Sequence, residues 1–536
     1  MTAEIWDVII VGAGLSGLSA AHLLKKRNKQ MRILLLEGKD RVGGRTLSSE
    51  ILAADGVDRW DLGGQWVGST QTHILDLIQE LGFETYPQFN SGKKVHHMGG
   101  LDAKVRTYRT SIPALSPVAL MDLTQLLWRI DRLCATVCVQ DPARTPNAVK
   151  LDSMTAHSYI ERHAWTAEIK EEMGVAIRSV FGVEPSQMSF LFFLMYATAA
   201  GGLLPLLEST SGAAQELKIK GGTQQLSERL AELVGLKNVR LGSAVMSIWQ
   251  DAEWARVTTV TDTFLCRAVI VTCPPHLAAK IHYQPALPSQ REFLTQNMPV
   301  GHMIKFIITY QTAFWKEKGF SGEIVAGPLI DCPFCVTFDA TSPNGNAALV
   351  GFISGMQASV WSSKEEGERR KAVISSLSRF LGPEAESFIQ YKEKDWAKEE
   401  YNGGCPVNVM APGLLTYYHP SLRKPVGRIH WAGTETATQW CGYMSGAVQA
   451  GQRAALEVFA ELCPNALTKE EQEAMQHGET VITLQQTTIP KLSHLSIGKV
   501  VVMATLTISA ALFLVHNKNA LLKAKIYLTN AFSGTR

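Results

Sequence analysis

The feature that most constrains the fold is a glycine-rich turn close to the N-terminus. Gly12, Gly14 and Gly17 form a G-x-G-x-x-G pattern. The pattern follows an apolar, β-rich run at residues 6–11 and opens a stretch with helical spacing at residues 18–26. Strand, turn and helix in this order are typical of a dinucleotide-binding unit built on a parallel sheet. The sequence therefore predicts an α/β fold with a Rossmann-like domain at its start.

A carboxylate in the expected place strengthens this prediction. Glu37 closes the next apolar run, residues 33–36, twenty positions after Gly17. There it would accept hydrogen bonds from the ribose hydroxyls, while the helix N-terminus stabilises the phosphates. The residues expected to contact a dinucleotide in this unit are Gly12, Gly14, Leu15, Ser16, Gly17, Glu37 and Gly38.

Two further loops favour FAD over a nicotinamide cofactor. Residues 41–46 (RVGGRT) bring a glycine pair and two arginines, Arg41 and Arg45, just after the ribose carboxylate, where they are expected to wrap a phosphate. Residues 61–66 (DLGGQW) add a second glycine pair, with Gly64 and Gln65 as candidate contacts. An extended, permanently held FAD needs such additional loops.

Composition narrows the class of protein. A chain of 536 residues is expected to form two or three domains, and 46% hydrophobic residues can bury large cores. A net charge of +3 gives no electrostatic basis for binding nucleic acid. The nine cysteines are scattered and odd in number, which favours a reducing compartment. Cys332 and Cys335 lack a second pair at zinc-site spacing, so we interpret them as ordinary thiols and predict no metal site.

The C-terminus carries a candidate membrane anchor. Residues 500–515 contain no charge, Lys499 precedes them, and lysines 518, 523 and 525 follow. We predict a linker at 461–494, a membrane helix at 495–516 and a basic tail at 517–536, which would leave the bulk of the protein facing the cytosol. A buried core helix is the alternative for an apolar run of this length.

The pattern of strands predicts two interleaved domains. Apolar runs near 268–272 and 429–431 continue the nucleotide-binding unit. We therefore assign residues 1–89, 216–294 and 399–460 to a discontinuous FAD-binding domain. Residues 90–215 and 295–398 are assigned to an α+β substrate domain.

Longer motifs resemble those of the flavin amine oxidase family, and more closely its monoamine oxidase branch. They cover nearly the whole chain in order: DVIIVGAGLSGLSAA, LEGKDRVGGRT, DLGGQWVG, IKGGTQQLSERL, VGHMIKF, DWAKEEYNGGC and HWAGTETATQWCGYMSGAVQAGQRAA. The resemblance implies FAD bound covalently through the sulfur of Cys405. It also implies a homodimer.

The resemblance implies roles for further residues. Lys305, in an otherwise apolar run, matches the lysine that holds a water at flavin N5, and Trp396 matches a tryptophan against the flavin. Together with Tyr443 these are the expected catalytic residues. The remaining matches are Val245 near the adenine, Thr434, Glu435, Tyr443 and Met444 near the ribityl chain and ring, and Leu207, Gln215, Phe352 and Tyr443 in the substrate cavity.

One position departs from the family pattern. Monoamine oxidases flank the amine with two parallel tyrosines, one of which directly follows the flavin-linked cysteine. Here Tyr443 is present, but Pro406 follows Cys405. Proline has no π-face, so half of the aromatic cage is missing. The carboxylates expected along a polyamine-binding tunnel are not evident from the sequence.

The expected reaction is the FAD-dependent oxidative deamination of primary or secondary amines by O2, giving aldehyde, ammonia or a smaller amine, and hydrogen peroxide. A polyamine oxidase and an L-amino-acid oxidase are alternatives that share the cofactor scaffold. A flavin-binding membrane scaffold with little turnover is an alternative of another class. The short, moderately apolar span with a basic flank favours the mitochondrial outer membrane, with the endoplasmic reticulum as the alternative.

Overall fold

The computed structural model describes residues 5–99, 103–327 and 332–476. The predicted membrane helix at 495–516, the basic tail and residues 477–494 of the predicted linker lie outside this part of the chain. Within these three segments, no helix has both the length and the apolar character that crossing a bilayer requires.

The described segments contain runs of strands and runs of helices, the longest being the six successive α-helices between β8 and β9. The strands are β1 (Ile5–Val11), β2 (Ile33–Leu36), β3 (Ser48–Ala53), β4 (Gly56–Asp61), β5 (Trp66–Val67), β6 (Thr85–Pro87), β7 (Lys93–His97), β8 (Arg106–Tyr108), β9 (Leu217–Ile219), β10 (Val239–Arg240), β11 (Val245–Gln250), β12 (Ala255–Thr259), β13 (Thr263–Val271), β14 (His282–Gln284), β15 (Met303–Tyr310), β16 (Phe320–Ala326), β17 (Val336–Asp339), β18 (Ala348–Ser354), β19 (Phe388–Asp395) and β20 (Ile429–Trp431). The α-helices are α1 (Leu15–Arg27), α2 (Thr72–Leu81), α3 (Pro117–Cys134), α4 (Ala148–Asp152), α5 (Ala156–His163), α6 (Ala167–Phe181), α7 (Phe190–Ala199), α8 (Leu204–Leu207), α9 (Gln224–Val234), α10 (Pro275–Ala278), α11 (Ser289–Gln296), α12 (Phe314–Glu317), α13 (Met356–Ser362), α14 (Glu366–Leu381), α15 (Leu414–Tyr418), α16 (Met444–Leu462) and α17 (Lys469–Gln476).

The first large sheet has eight strands in the order β10-β2-β1-β13-β12-β11-β14, with β20 paired to β13. Strands β1, β2, β10, β13 and β20 run parallel to their partners within this group. Val11 pairs with both Leu36 and Val271, so the carboxyl ends of three strands meet at one edge. The α/β prediction is confirmed, and this edge is where parallel sheets bind ligands.

Helices cover this sheet closely. Val8, Ile9 and Ile10 are fully buried, as expected for a parallel strand with both faces covered. Helix α1 lies against α16, and a Cβ added at Gly451 would come within 2.1 Å of the Ser16 carbonyl oxygen. The two helices therefore pack backbone to backbone beside the glycine-rich turn.

The second large sheet has seven strands in the order β19-β15-β18-β17-β16-β7-β8. Lys305 pairs with Phe352, Phe352 with Val336, and Val336 with Val325. Directly paired residues project from the same face of a sheet. This row of side chains therefore crosses one face of the sheet from β15 to β16.

Helices α3–α8 form a separate helical layer. Its core is made of large apolar side chains, among them Leu126, Ile130, Phe181, Phe190 and Leu194. Helix α7 (FLFFLMYATA) is buried on nearly every side because almost all its residues are apolar. This layer supplies a second wall for the cavity described next.

Candidate active site

A continuous cavity of about 1600 Å³ is lined by residues of both large sheets and of the helical layer. The carboxyl edge of the parallel sheet contributes Gly12, Gly14 and Glu37, and the seven-stranded sheet contributes Lys305 and Phe352. The nucleotide-binding and substrate-binding candidates therefore share one continuous cavity.

The glycine-rich turn is shaped to receive a phosphate. Gly12 has φ +102°, and a Cβ at Gly17 would lie 2.1 Å from the Gly12 carbonyl oxygen, so Gly17 permits the close packing of helix and strand. A Cβ at Gly14 would meet nothing closer than 3.9 Å. The space beside Gly14 is open to the cavity, as a bound pyrophosphate needs.

Glu37 is buried at the end of β2 and is held by backbone donors. The Ala13 amide donates to Oε2 at 2.7 Å, and the Lys39 amide donates to Oε1 at 3.0 Å. The carboxylate lines the cavity and has remaining lone pairs for a ribose hydroxyl. Val245 also lines the cavity.

The two arginines of residues 41–46 are already occupied by protein groups. Arg45 donates to both oxygens of Glu435, at 2.6 and 3.0 Å, and to the Pro406 carbonyl oxygen at 2.8 Å. Arg41 donates to the carbonyl oxygens of its own loop and to Glu399. Arg45 reaches the cavity wall and Arg41 does not. Arg41 thus braces its own loop, and of the two arginines only Arg45 stands where the cavity wall is exposed to a phosphate.

Lys305 is a buried lysine without a carboxylate in hydrogen-bond contact. Its Nζ donates to the Gly63 carbonyl oxygen at 2.9 Å and to Gln65 Oε1 at 2.6 Å. The rings of Trp66 and Phe352 lie 5.6 and 5.5 Å from it. Burial lowers the pKa of Lys305 to about 7, with Asp61 opposing the shift. A lysine at the cavity wall can thus lose or gain a proton near neutral pH.

Cys405 presents its thiol at the cavity wall beside two cationic side chains. Burial raises the pKa of Cys405 to about 12, while Arg45 and Lys305 act to lower it. Trp396, nearly fully buried, donates from its indole nitrogen to the Leu62 carbonyl oxygen at 2.9 Å and also lines the cavity. The cysteine and the tryptophan therefore face the same space.

Tyr443 is the aromatic wall near Cys405. Its ring lies 5.1 Å from Trp440 and 6.0 Å from Tyr196, and Thr434 Oγ1 donates to its carbonyl oxygen at 2.8 Å. Pro406 lines the cavity where the second tyrosine of the family pattern is expected. The wall thus carries the aromatic ring of Tyr443 and, in place of a second tyrosine, the saturated ring of Pro406.

The predicted substrate residues also reach the cavity. Phe352 packs on Trp66 with ring centroids 5.8 Å apart, and Leu207 lies on the wall. Gln215 donates to the Leu206 carbonyl oxygen at 3.2 Å, while its Oε1 has no partner. That oxygen can accept a hydrogen bond from a ligand.

Nearly all the candidates lie together. The predicted residues on the cavity wall are Gly12, Gly14, Leu15, Ser16, Glu37, Gly38, Arg45, Leu207, Gln215, Gly64, Gln65, Val245, Lys305, Phe352, Trp396, Cys405, Thr434, Tyr443 and Met444. Gly17 and Glu435 do not reach it. Gly17 is covered by the turn that it allows to form, and Glu435 is buried behind its ion pair with Arg45.

The sequence analysis missed several wall residues, because nothing in their local pattern marks them. Trp66 and Tyr196 read as ordinary core aromatics. Lys94, Glu172 and Glu323 lie far apart along the chain and reach one wall through strand pairing and helix packing. Carboxylates on the cavity wall were not evident from the sequence, yet Glu172 and Glu323 both line it. Within the described segments, no group of three or more His, Cys, Asp or Glu is arranged to hold a metal.

A family model described as flavin containing amine oxidoreductase matches residues 15–459. The chain belongs to this family. A flavin amine oxidase from Bos taurus, amine oxidase [flavin-containing] A, is 38% identical over 463 residues that cover 86% of each chain. A probable flavin-containing monoamine oxidase A from Dictyostelium discoideum is 37% identical, over 87% of this chain and all of that one.

Solved structures of amine oxidases share the fold. Cyclohexylamine oxidase from Brevibacterium oxydans superposes with a TM-score of 0.80 at 31% identity, covering 86% of this chain and 100% of the other. Putrescine oxidase bound to putrescine gives a TM-score of 0.79 at 30% identity, covering 85% and 100%. This flavin amine oxidase has the mixed α/β fold of its family and is an FAD-dependent enzyme that oxidises amines with O2.

The cavity fits FAD. The open space at Gly14 and the buried Glu37 carboxylate suit a pyrophosphate and a ribose, and the wall continues from them to Cys405 and Tyr443. A mononucleotide would leave much of this wall without a partner.

Proposed function

We propose that this amine oxidase deaminates primary and secondary amines in the apolar part of the cavity next to Cys405 and Tyr443. The observation that carries the proposal is the single cavity that joins the dinucleotide turn to the lysine, cysteine and tyrosine. Residues at the sheet edge would hold the adenosine and phosphates, with Glu37 on the ribose. Thr434, Met444, Gly64 and Gln65 would hold the rest of the cofactor.

When bound, FAD supplies the oxidant that accepts a hydride equivalent from the amine α-carbon and passes the electrons to O2. At its reacting end the cavity favours binding of the neutral amine, because an apolar wall makes burial of the charged ammonium form costly. Phe352, Leu207 and the ring of Tyr443 would orient the amine. Gln215 Oε1 would accept a hydrogen bond from the amine N–H.

Lys305 is proposed to hold a water molecule and to move a proton at its Nζ. Its pKa of about 7 means that both the charged and the neutral form are populated in the physiological range. Charged, it donates to a water or an oxygen species in the cavity. Neutral, it accepts a proton released there.

We further propose that Cys405 Sγ is the point of covalent attachment for the flavin. The thiol lies on the wall beside Arg45 and Lys305, whose charges partly offset the effect of burial, which raises the pKa of Cys405 to about 12. Cys273 also lines the cavity, but at the dinucleotide edge next to Thr272. It therefore serves as a matched control.

The test is denaturing precipitation of the purified protein, followed by visible spectra of pellet and supernatant. We expect the yellow colour to stay with wild-type protein and with Cys273→Ala, and to move to the supernatant for Cys405→Ala. Flavin released from the wild type would exclude covalent attachment. Flavin retained by Cys405→Ala would place the attachment elsewhere.

The remaining proposals concern the whole chain. We propose that residues 1–89, 216–294 and 399–460 form the FAD-binding domain, since they contain every strand of the eight-stranded sheet. Residues 90–215 and 295–398 would form the substrate domain. We also propose that residues 495–516 form a membrane helix. This helix would hold the enzyme on the cytosolic face of the mitochondrial outer membrane. The enzyme would act as a homodimer.

A further inference from the structure

We propose that the end of the cavity remote from Cys405 binds a second ammonium group, so that the preferred substrates are long amines charged at both ends. The inference rests on the proposed function, because it concerns the same cavity. Its basis is a charged cluster formed by Lys94, His96, Tyr108, Glu172 and Glu323, which we call the distal cluster. Four of these residues, all except His96, line the cavity.

The distal cluster is tightly connected. Lys94 Nζ lies 2.8 Å from Glu323 Oε2, and the His96 imidazole lies 2.9 Å from Glu172 Oε2. Tyr108 pairs with Lys94 across β7 and β8, and Lys94 Nζ lies 5.8 Å from the Tyr108 ring. Burial, followed by the charges of Glu323 and Glu172, raises the pKa of Tyr108. Both carboxylates therefore act on the same small volume.

On the cavity wall itself the cluster presents two carboxylates, Glu172 and Glu323, and one ammonium, Lys94. Glu323 is neutralised by Lys94, and both side chains are 13% exposed. Among the described residues, Glu172 is paired with the imidazole of His96, which does not line the cavity. On the described part of the wall, Glu172 thus has no cationic side chain beside it, whereas Glu323 has Lys94. An incoming ammonium balances the charge, and a charge-assisted hydrogen bond to a partly buried carboxylate is stronger than one between neutral groups.

The sheet sets the separation between the two ends of the cavity. Lys305, Phe352, Val336 and Val325 are successive partners on β15, β18, β17 and β16, and Glu323 lies two residues from Val325 on the same face. Three strand spacings of about 4.8 Å give roughly 14 Å from Lys305 to β16.

Helix α6 gives an independent measure of the same separation. A Cβ at Gly182, which follows the helix, would lie 3.0 Å from the Cys405 carbonyl oxygen. Glu172 lies ten residues earlier, which corresponds to about 15 Å along the axis. The sheet and the helix thus agree on the distance from the reacting end to the distal cluster.

The wall between the two ends is mostly apolar. Phe352, Phe338, Val336, Val325 and Val180 all line it. An ammonium that stops in this stretch loses hydration without gaining a partner, whereas one that reaches the carboxylates regains a charged partner. Chain length should therefore determine whether a second ammonium harms or helps binding. With a separation of about 15 Å, a chain of about eight to twelve carbons is needed.

The experiment compares α,ω-diamines with n-alkylamines of equal length, from four to twelve carbons, on the full-length holoenzyme. For each length, the ratio of kcat/KM for the diamine to that for the monoamine is measured by peroxide release. The dissociation constant of each amine is measured separately from its perturbation of the flavin spectrum without O2. We expect the ratio to be below one at four carbons and to rise to about tenfold in favour of the diamine at eight to twelve carbons.

Glu172→Gln tests the residue assignment. We expect it to abolish the advantage of the long diamine in both kcat/KM and dissociation constant, and Glu172→Asp to keep part of it because the charge remains. Glu171→Gln is the matched control: its carboxylate accepts from the Gly99 amide at 3.0 Å and lies off the cavity wall. It should leave the ratio as in the wild type.

The outcomes separate the two proposals. Oxidation of monoamines with no preference for long diamines would overturn the distal subsite and leave the oxidase intact. A length-dependent preference that survives in Glu172→Gln would overturn it as well. Selective spectral binding of long diamines that requires Glu172, without peroxide release from any amine, would support the subsite and overturn the oxidase.

Discussion

Tyr443 lines the cavity and corresponds to one of the two tyrosines in the family pattern. The ring packs against Trp440 at 5.1 Å and Tyr196 at 6.0 Å, and Pro406 lines the same cavity. Because Tyr443 supplies the only tyrosine ring of this pair, removing the ring should lower kcat/KM substantially. We expect Tyr443→Leu to lower kcat/KM for n-alkylamines about tenfold and Tyr443→Phe to retain most of the activity. Steady-state peroxide assays check this, and equal losses in the two variants would assign the effect to the hydroxyl instead.

Lys305 should make stability depend on pH. Its pKa in the folded protein is about 7, below the ordinary 10.5, so between these values the unfolded chain holds a proton that the folded chain lacks. The free energy of unfolding therefore rises with pH through this window, by about 2 kcal/mol between pH 7.5 and 9.5. Lys305→Met should remove this part of the slope.

Urea unfolding of wild type and variant at both pH values measures the difference. Lys29→Met is the control, because Lys29 is exposed and its substitution should leave the slope unchanged. A Lys305→Met variant with the wild-type slope would show that Lys305 is charged throughout the window in the folded protein.

The space around the Cβ position differs greatly between two glycines of the glycine-rich turn, Gly17 and Gly14. At Gly17 a Cβ would lie 2.1 Å from the Gly12 carbonyl oxygen, whereas at Gly14 the nearest atom is 3.9 Å away. We expect Gly17→Ala to lower the free energy of unfolding by about 1–3 kcal/mol and to lose FAD, since α1 must move away from β1. Gly14→Ala should keep the thermal stability of the apoprotein and lose only cofactor affinity.

Thermal unfolding of both apoproteins, with FAD content after reconstitution, distinguishes the two roles. Gly451→Ala serves as a second packing control, because its Cβ would meet the Ser16 carbonyl oxygen at 2.1 Å where α16 crosses α1. Equal destabilisation by Gly14→Ala and Gly17→Ala would mean that the turn has no free space for a phosphate.

The elements of the nucleotide-binding unit were the most predictable from sequence. Residues 33–36 and 429–431 are strands as predicted, and the strand predicted at 6–11 begins one residue earlier. The helix begins at Leu15, three residues before the apolar spacing is readable, because Ser16 and Gly17 are small and hide the periodicity. Local sequence patterns sufficed to predict these elements, because the turn residues and the hydrophobic spacing can be recognised within a window of about thirty residues.

On the scale of the whole molecule, the cavity wall could not be predicted from local patterns. Glu323 and Lys94 are separated by more than two hundred residues and meet only because β16 pairs with β7. Glu172 joins them from a helix. Family resemblance supplied the residues near Cys405, whereas the charged far wall depends on strand order, and strand order is set by the complete fold.

Described residues of both large sheets and of the helical layer line the cavity, which allows a prediction for residues 477–536. Both large sheets and the helical layer lie within residues 5–476, and Arg27 donates to both carboxylate oxygens of Glu471, in α17, at 2.7 Å. If residues 477–536 serve only as an anchor, a chain ending at Gln476 should be recovered in the soluble fraction with full FAD content and unchanged kcat/KM.

The full-length protein should stay in the membrane pellet after carbonate extraction, because an inserted helix is held by burial of apolar side chains. Residues 477–536 fused to a fluorescent protein should carry it to mitochondria. A soluble full-length enzyme, or a fusion that remains diffuse, would contradict the proposed anchor, and a fusion on the endoplasmic reticulum would change the proposed membrane.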